Sequence, residues 1–253
     1  MQITGNTILI TGGGSGIGRA LAEAFHARGN QVIIAGRRQA ALDEVARAHP
    51  GIATAVLDAS DAADIARFAA QITRDHPALN VLINNAGIMQ AEDWTAEQVD
   101  LVTAEATIAT NLLAPIRLTA ALLPLLRRQP TSTMLTVSSG LAFVPKAVTP
   151  TYGATKAAIH SFSESLRHQL RGTGVEVIEI APPYVQTELT GAHQASDPLA
   201  MPLKDFIDEV MQILETQPEA QEVLVGRVHA QRFAAGHDQA TYRQMFARVN
   251  GGA

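Results

Sequence analysis

Two residues with complementary proton chemistry lie four positions apart in the second half of the chain, Tyr152 and Lys156. They stand at the start of a helical pattern that runs to about Arg171, and this spacing puts both side chains on one helix face. An ammonium beside a phenol favours the phenolate, so we expect a lowered pKa and proton exchange with a carbonyl or hydroxyl oxygen. Ser139 follows the strand-like run 133–137 and could hydrogen-bond the same oxygen. A solvated helix face is the alternative interpretation.

A glycine-rich turn near the start of the chain, residues 11–18, reads Thr-Gly-Gly-Gly-Ser-Gly-Ile-Gly. The turn closes an apolar run and opens an apolar-periodic segment, so it joins a strand to a helix. Nucleotide phosphates bind at such junctions, where glycines such as Gly12, Gly16 and Gly18 allow a tight turn and close approach of the backbone. The spacing is not the strict G-x-G-x-x-G, and an ordinary strand-to-helix turn is the alternative.

In their order and spacing, these motifs resemble the short-chain dehydrogenase/reductase superfamily from Thr7 to about Leu189. The family's glycine-rich turn corresponds to residues 11–18, and its Asn-Asn-Ala-Gly motif corresponds to residues 84–87. Several matches in the right order are far more specific than any single motif. The resemblance implies a nicotinamide-dependent oxidoreductase, and it assigns the catalytic roles to Asn111, Ser139, Tyr152 and Lys156.

The resemblance also implies a role for each catalytic residue. Lys156 would bind the nicotinamide ribose and keep Tyr152 acidic, and Tyr152 would exchange a proton with the substrate oxygen. Ser139 would hold that oxygen and stabilise its developing charge. Asn111 lies in the predicted helical stretch 104–113 and would order water that links Lys156 to solvent. It could instead satisfy backbone groups freed by a kink at the nearby proline, and both roles could hold together.

The choice of cofactor is expected to depend on the residues after the second predicted strand. A carboxylate there would bind the ribose hydroxyls of NAD, but this chain has Gly36 followed by Arg37 and Arg38. Two arginines can pair with a 2′-phosphate, so we expect NADP(H) to be preferred and NAD(H) to be possible; a solvated helix start is the alternative. The resemblance implies cofactor contacts from Gly12, Ser15, Gly16, Ile17, Gly18, Arg37, Arg38, Asp58, Ala59, Asn85, Ala86, Gly87, Tyr152, Lys156, Pro182, Val185 and Thr187.

Short β-branched runs alternate with alanine-rich helical segments along the whole chain, a pattern typical of a parallel sheet wrapped by helices. We predict a single Rossmann-like α/β domain over residues 1–253, with a doubly wound sheet of about seven parallel strands in a three-layer α/β/α arrangement. The predicted strands are 7–11, 31–35, 54–57, 81–84, 133–137, 176–180 and 222–225, and predicted helices include 19–28, 38–49, 62–75 and 203–214. Right-handed crossovers would bring all the carboxyl ends of the strands to one edge of the sheet.

Composition narrows the possible partners. The net charge is −5 without a run of Lys or Arg, which argues against a nucleic-acid partner. The chain has no cysteine, which excludes disulfides and thiolate ligands, and its eight histidines are scattered without an H-E-x-x-H motif, so we expect no metal site. The start of the chain does not resemble a secretion signal, and the apolar runs look too short to span a bilayer. We therefore expect a soluble, cytoplasmic protein without a membrane partner.

Two segments depart from the usual family pattern. Residues 181–189 carry Pro183 where most relatives have glycine, and residues 222–229 lack the usual glycine-ended final strand. The chain then continues into a divergent C-terminal tail at about 226–253. These features resemble the subgroup named after an oxidoreductase of the D-alanyl-teichoic acid operon, a name that describes a gene neighbourhood rather than a reaction.

The substrate pocket and the assembly are predicted in outline. We predict a substrate lid at about 187–215, with an ordinary surface loop as the alternative. Because the candidate pocket residues are mostly apolar, we expect a neutral ketone, aldehyde or secondary alcohol as substrate. A homodimer is expected first and a homotetramer second, through apolar faces at 120–126 and 157–162. The candidate pocket residues are Met89, Trp94, Leu141, Phe143, Tyr184 and Leu189, with His193 nearby.

Two other functions are compatible with the same motifs. One is an NADP(H)-binding redox sensor without turnover, although binding alone gives no obvious reason to keep the proton-transfer residue Tyr152. The other is an isomerase or dehydratase in which the nicotinamide stays bound and is recycled internally.

Overall fold

The β-branched runs of the chain form a single sheet of parallel strands. The computed structural model describes residues 1–251, and in that part of the chain the sheet has seven strands in the order β3-β2-β1-β4-β5-β6-β7. A crevice forms where such an order reverses, here between β1 and β4, outside the carboxyl ends of the strands. The predicted fold class is confirmed. The strands are β1 (Thr7–Thr11), β2 (Gln31–Gly36), β3 (Ala53–Val56), β4 (Val81–Asn84), β5 (Ser132–Val137), β6 (Val175–Ile180) and β7 (Glu222–Val223).

Helices cover both faces of the sheet and complete the three layers. A π-helical turn, Ala109–Leu113, joins the fourth helix to the fifth. The helices are α1 (Gly16–His26), α2 (Gln39–Ala48), α3 (Ala62–Asp75), α4 (Val102–Ile108), α5 (Ala114–Leu126), α6 (Pro150–Gln169), α7 (Ala192–Ala195), α8 (Leu203–Thr216), α9 (His229–His237) and α10 (Gln239–Val249). Helices α1 and α8 pack together on one face, and α3 and α5 pack together on the other.

Alternation along each strand divides the apolar core into two layers. In β1, Ile8 and Ile10 belong to the layer that contains Phe25 of α1, whereas Leu9 belongs to the layer that contains Phe68 of α3. Successive side chains of a strand point to opposite faces, so a strand buried on both faces must be apolar throughout. This requirement explains why the strands appear in the sequence as continuous apolar runs.

The last strand is shorter than predicted. Residues 222–225 were expected to form it, but only Glu222 and Val223 pair with β6. The chain then turns through a 3-10 helix, Gly226–Val228, into α9. The predicted tail at 226–253 therefore folds as two helices, α9 and α10, and its last two residues, Gly252 and Ala253, lie outside the described part of the chain.

The prediction that every apolar run is too short to span a bilayer is wrong for one helical stretch. Because the π-helical turn makes α4 and α5 continuous, the stretch Val102–Leu126 is 25 residues long, and an 18-residue window within it has a mean hydropathy of 1.5, enough by length and composition alone. Its apolar residues Leu118, Leu122 and Leu125 are buried in the core layer shared with α3. Packing in the core accounts for these residues, whereas Val102 and Ile108 of the same stretch are exposed.

A threonine at the end of β1 ties together the two strands that flank the crevice. The Thr11 hydroxyl oxygen accepts hydrogen bonds of 3.0 Å from the backbone N–H groups of Asn85 and Ala86, which follow β4. The Asn85 amide in turn donates to the Thr11 carbonyl at 2.9 Å. Thr11 is almost completely buried, so water has little access to the position that its hydroxyl group occupies.

We predict that Thr11→Val lowers the free energy of unfolding by about 2 kcal/mol, because it removes one acceptor from two backbone N–H groups without changing the side-chain shape. Chemical denaturation followed by circular dichroism measures the loss. Thr7→Val, at the other end of β1, is the matched control: the Thr7 hydroxyl has only a 3.4 Å contact with Gln31, so a loss of about 0.5 kcal/mol or less is expected. Equal losses in the two variants would contradict this account.

Candidate active site

A groove opens at the carboxyl ends of the strands where the sheet order reverses. Six of the residues predicted as cofactor contacts line it: Gly12, Arg37, Asp58, Ala59, Ala86 and Gly87. The other seven lining residues are not among the predicted contacts: Thr11, Ala35, Gly36, Leu57, Ser60, Ile88 and Thr110. The groove is lined by Thr11, Gly12, Ala35, Gly36, Arg37, Leu57, Asp58, Ala59, Ser60, Ala86, Gly87, Ile88 and Thr110.

The glycine-rich turn requires glycine at Gly12 because of its backbone conformation and at Gly18 because of a close contact. Gly12 has φ +69°, and a Cβ atom there would lie 2.9 Å from the Ala86 Cα. A Cβ atom at Gly18 would collide with the Gly12 carbonyl oxygen, so glycine lets α1 pack against the strand end.

The first turn of α1 has backbone N–H groups that could bind an anion. Ser15 is the N-cap residue but makes no side-chain cap hydrogen bond, and the first turn holds no acidic residue. Its N–H groups and the positive end of the helix dipole are therefore available to a phosphate. Gly16 begins the helix, and the side chain of Ile17 packs against the core, which leaves only its backbone for a ligand.

The two arginines after β2 occupy different positions. Arg37 lines the groove, and its charge contributes to a lowered pKa of Asp58, which is due mainly to hydrogen bonds from Ser60. Arg38 is the N-cap residue of α2 and is not among the residues that line the groove. Both are exposed. Of the two, only Arg37 is positioned beside the groove as the phosphate hypothesis requires.

The side chain of Asn111 makes two hydrogen bonds with the backbone of Ile88, a residue that lines the groove. Its side-chain oxygen accepts from Ile88 N–H at 2.9 Å, and its amide donates to the Ile88 carbonyl at 2.8 Å. Ile88 directly follows Gly87, so this clamp fixes the end of the Asn-Asn-Ala-Gly segment. The alternative that Asn111 satisfies groups freed by a kink at Pro115 is wrong, because the bend is a π-helical turn and Asn111 bonds a different segment.

Ser139, Tyr152 and Lys156 meet at the end of β5. Ser139 begins a 3-10 turn, where its hydroxyl oxygen accepts from the Leu141 N–H at 3.1 Å, and it shares a hydrogen bond with Tyr152. The Lys156 Nζ donates to the Val137 carbonyl at 2.8 Å and lies 5.5 Å from the centre of the Tyr152 ring. All three side chains are buried, with at most 8% exposure. The fold brings these three residues together, as the sequence predicts.

The expected effect of Lys156 on Tyr152 is absent. Burial raises the pKa of Tyr152 to about 12, although the hydrogen bond with Ser139 acts in the opposite direction. Burial also lowers the pKa of Lys156 to about 8, with a smaller opposing effect from the charge of Glu179. The prediction of a lowered tyrosine pKa is therefore wrong for this structure, because desolvation of both groups outweighs their proximity.

The segment after β6 closes the site from the other side. The Pro182 carbonyl accepts from Gly140 N–H at 2.8 Å and so joins this segment to the Ser139 turn. Val185 is buried, and the buried Gln194 amide donates to its carbonyl at 2.7 Å and to the Thr187 hydroxyl at 3.1 Å. The Thr187 side chain faces the glycine-rich turn, since a Cβ atom on Gly16 would lie 3.6 Å from it. The predicted lid thus has a firmly bonded base.

Of the candidate pocket residues, Phe143 packs against other helices, and Trp94 is largely exposed. The Phe143 ring packs edge-on against His160 at 4.9 Å and lies under the Arg232 guanidinium at 4.7 Å, so it belongs to the contact between α6 and α9. Trp94 is 56% exposed and donates to Glu92, which also binds Thr151 at the start of α6. An apolar side chain in the right loop was too weak a signal to assign a pocket.

Comparison with known proteins agrees with these observations. Residues 6–198 match the family described as short chain dehydrogenase. An uncharacterized oxidoreductase, DltE, of Bacillus subtilis (strain 168) is 41% identical over 253 residues, which cover 99% of this chain and 98% of that protein. This similarity identifies an enzyme of the class that acts on CH–OH and C=O groups, in the DltE-like subgroup.

Two solved structures share the whole architecture. A short chain dehydrogenase from Burkholderia cenocepacia J2315 in complex with NADP is 25% identical with a TM-score of 0.83, and the match covers 97% of this chain and 99% of that one. A short-chain dehydrogenase from Sphingobium yanoikuyae in complex with NADPH is 28% identical with a TM-score of 0.78, over 96% of this chain and 95% of that one. By motif order, sheet order and family match, this chain belongs to the short-chain dehydrogenase/reductase family.

Proposed function

We propose that the protein is an NADP(H)-dependent oxidoreductase that transfers a hydride between the nicotinamide and a neutral ketone, aldehyde or secondary alcohol. The observation that carries the proposal is the buried group of Ser139, Tyr152 and Lys156 at the sheet edge that also forms the glycine-lined groove. This reaction requires at least a proton-transfer residue beside a groove that binds the nucleotide.

The groove residues are compatible with a dinucleotide. Gly12 and Gly18 allow the turn and α1 to pack closely against the strand ends, and the first turn of α1 is uncapped by side chains and free of acidic residues. The two solved relatives in complex with NADP and NADPH support the same choice. When bound, the nicotinamide would supply or accept the hydride. We expect the NADP 2′-phosphate to be bound by Arg37.

Residues of the chain would transfer the proton and bind the substrate oxygen and the cofactor ribose. Tyr152 would give its phenolic proton to the carbonyl oxygen during reduction and take it back during oxidation. Ser139, already hydrogen-bonded with Tyr152, would hold that oxygen and stabilise its negative charge. Lys156 would bind the nicotinamide ribose through its ammonium group. Asn111 would hold the Ile88 backbone, and an added role in ordering water stays a prediction.

The proposal also covers closure over the substrate, the location of the protein and its subunit contact. We expect the exposed side chains Leu189 and Leu199 to close over an apolar substrate from the segment at about 187–215. We also expect a cytoplasmic homodimer. Most of 120–126 is used in the core, so the exposed apolar residues on and before α4, such as Leu101 and Val102, are better candidates for the subunit contact.

We predict that Tyr152→Phe lowers the kcat for reduction of neutral ketones and aldehydes by about 10²–10⁴-fold, because the proton donor is lost. NADPH oxidation followed by absorbance measures this effect, and fluorescence titration checks that NADPH still binds. Tyr242→Phe is the matched control, since this tyrosine lies on α10 in the tail, and its kcat is expected to stay unchanged.

Three outcomes of that experiment would count against the proposal. Turnover that survives in Tyr152→Phe would remove Tyr152 from the mechanism. Tight NADPH binding by the wild-type protein without turnover across a broad panel would favour a redox sensor. Conversion of a substrate without net change in the bound nicotinamide would favour an isomerase or dehydratase.

We predict that carbonyl reduction falls as the pH rises through about 8. The buried Lys156 has its pKa lowered to about 8, so the ammonium form that the mechanism needs is present below this pH and is lost above it. Profiles of kcat from pH 6.5 to 10 measure the change. In Lys156→Arg the guanidinium stays charged throughout, so whatever activity it retains should show no fall near pH 8. A wild-type profile that is flat through this range would refute the prediction.

We predict that Arg37→Ala weakens NADPH binding by about 10- to 100-fold and leaves NADH binding almost unchanged, because a charge-assisted bond to the 2′-phosphate is lost. Arg38→Ala is the matched control and should have a much smaller effect, since Arg38 lies outside the groove lining. Titration of each variant with both cofactors measures the difference. Unchanged NADPH affinity in the double variant would leave both arginines as parts of a solvated helix start.

A further inference from the structure

A carboxylate is buried at a position of β6 where the strand pattern calls for an apolar side chain. Glu179 has 0% exposure, and its neighbour on the same face, Val177, belongs to the apolar layer beneath the helices. On the adjacent strand β7 its register partner is Glu222, a second carboxylate. A buried charge and a pair of like charges side by side are both unfavourable, so this arrangement requires strong compensation.

The compensation comes chiefly from a histidine on α6. The His160 Nδ1 lies 2.7 Å from Glu179 Oε2 and 3.7 Å from Glu222 Oε1, so the ring stands between the two carboxylates. The hydrogen bond with Glu179 raises the pKa of His160, with smaller contributions in the same direction from Glu164 and Glu222, and favours the imidazolium ion. Arg232 of α9 binds Glu222 through two bonds of 2.8 and 3.0 Å.

The same three groups could in principle hold a metal ion, but their contacts favour an ion-pair network. One ligand atom from each of His160, Glu179 and Glu222 lies within 4.8 Å of the others. However, Ser138 donates to Glu179 Oε1, and Arg232 engages both oxygens of Glu222. Positive groups of the chain already neutralise the carboxylates.

The buried carboxylate touches the catalytic segment directly. Its hydrogen-bond donor Ser138 precedes Ser139, and Lys156 Nζ is bonded to the carbonyl of Val137, one residue further back. Lys156 and His160 are four residues apart on one face of α6, and Glu179 interacts with both. From the site outward the charges therefore alternate in sign: Lys156, Glu179, His160, Glu222 and Arg232.

We propose that Glu179 and His160 are positioning residues for the reaction. The pair anchors the turn that carries Ser139 and supplies the negative charge that keeps the Lys156 side chain an ammonium ion inside the protein. This inference rests on the proposed function, because Ser139 and Lys156 require positioning only if the site performs catalysis.

The charge effect is tested by the isosteric variant Glu179→Gln, with Glu176→Gln on the same strand as matched control, since Glu176 has a 57% exposed side chain. Without the negative charge the ammonium of Lys156 is less favoured, so the alkaline fall in kcat should move to lower pH by about one unit. We expect kcat at neutral pH to drop about tenfold, with KM within about twofold of the wild type. Glu176→Gln should change none of these quantities. A lower kcat with an unmoved alkaline limb would overturn the charge role.

The anchoring effect is tested by Ser138→Ala, which removes the bond to Glu179 but leaves the charge in place. We expect a lower kcat and an alkaline limb at the wild-type pH. This small change also keeps the proposal testable if Glu179→Gln does not fold. A wild-type kcat in Ser138→Ala would overturn the anchoring role.

A third measurement does not depend on turnover. Histidine NMR titration of the cofactor-free protein, with His160 assigned through His160→Asn, should give a pKa above the ordinary 6.5 that falls in Glu179→Gln. An ordinary value in the wild type would overturn the ion pair. Absence of turnover in the wild-type protein with a raised His160 pKa would refute the proposed function while upholding the pair.

Discussion

The burial of the Lys156 ammonium group is the constraint on which the arrangement of the site depends. Only 5% of this residue is exposed, so it has lost almost all of its water and must be stabilised by the protein. The stabilising groups are the Val137 carbonyl at the end of β5 and the charge of Glu179 on β6. These groups meet because β5 and β6 are adjacent parallel strands and α6 crosses between them. The sheet order is thus a requirement of the site as well as of the core.

Burial affects the tyrosine and the lysine in ways that bear on the direction of the reaction. With a pKa raised to about 12, the Tyr152 phenol keeps its proton at neutral pH and is equipped to donate it. Alcohol oxidation would need the phenolate, which burial opposes. On the proposed mechanism the protein is therefore better prepared for carbonyl reduction near neutral pH. Closer approach of a positive charge to the phenol oxygen would be required to favour the reverse reaction.

The sequence predicted the parts of the structure that arise from local patterns. Continuous apolar runs gave the strands, and α3 was predicted with its observed bounds, because a strand buried on both faces and an amphipathic helix each impose a short repeat. Motif order gave the approach of Ser139 to Tyr152. The sequence did not reveal the π-helical turn or the partner of Asn111, since both depend on packing between segments. It also missed Glu179, because a single acidic residue in a strand looks like an exposed edge position until its neighbours are known.

The C-terminal tail, which forms α9 and α10, contacts the segment that carries the serine turn. The connection between Ser139 and Tyr152 packs against it: Arg232 lies over Phe143, and a Cβ atom on Gly140 would collide with the Gln231 side chain. At the far end of α10, Asn250 binds the backbone of Ala147 and Pro145. A connection of this length would otherwise be free to vary, so the tail restricts the conformations open to the serine turn. Because Arg232 also binds Glu222, the tail constrains the serine turn and the charge network through the same side chain. Substitutions in the tail should therefore affect the geometry of the serine turn.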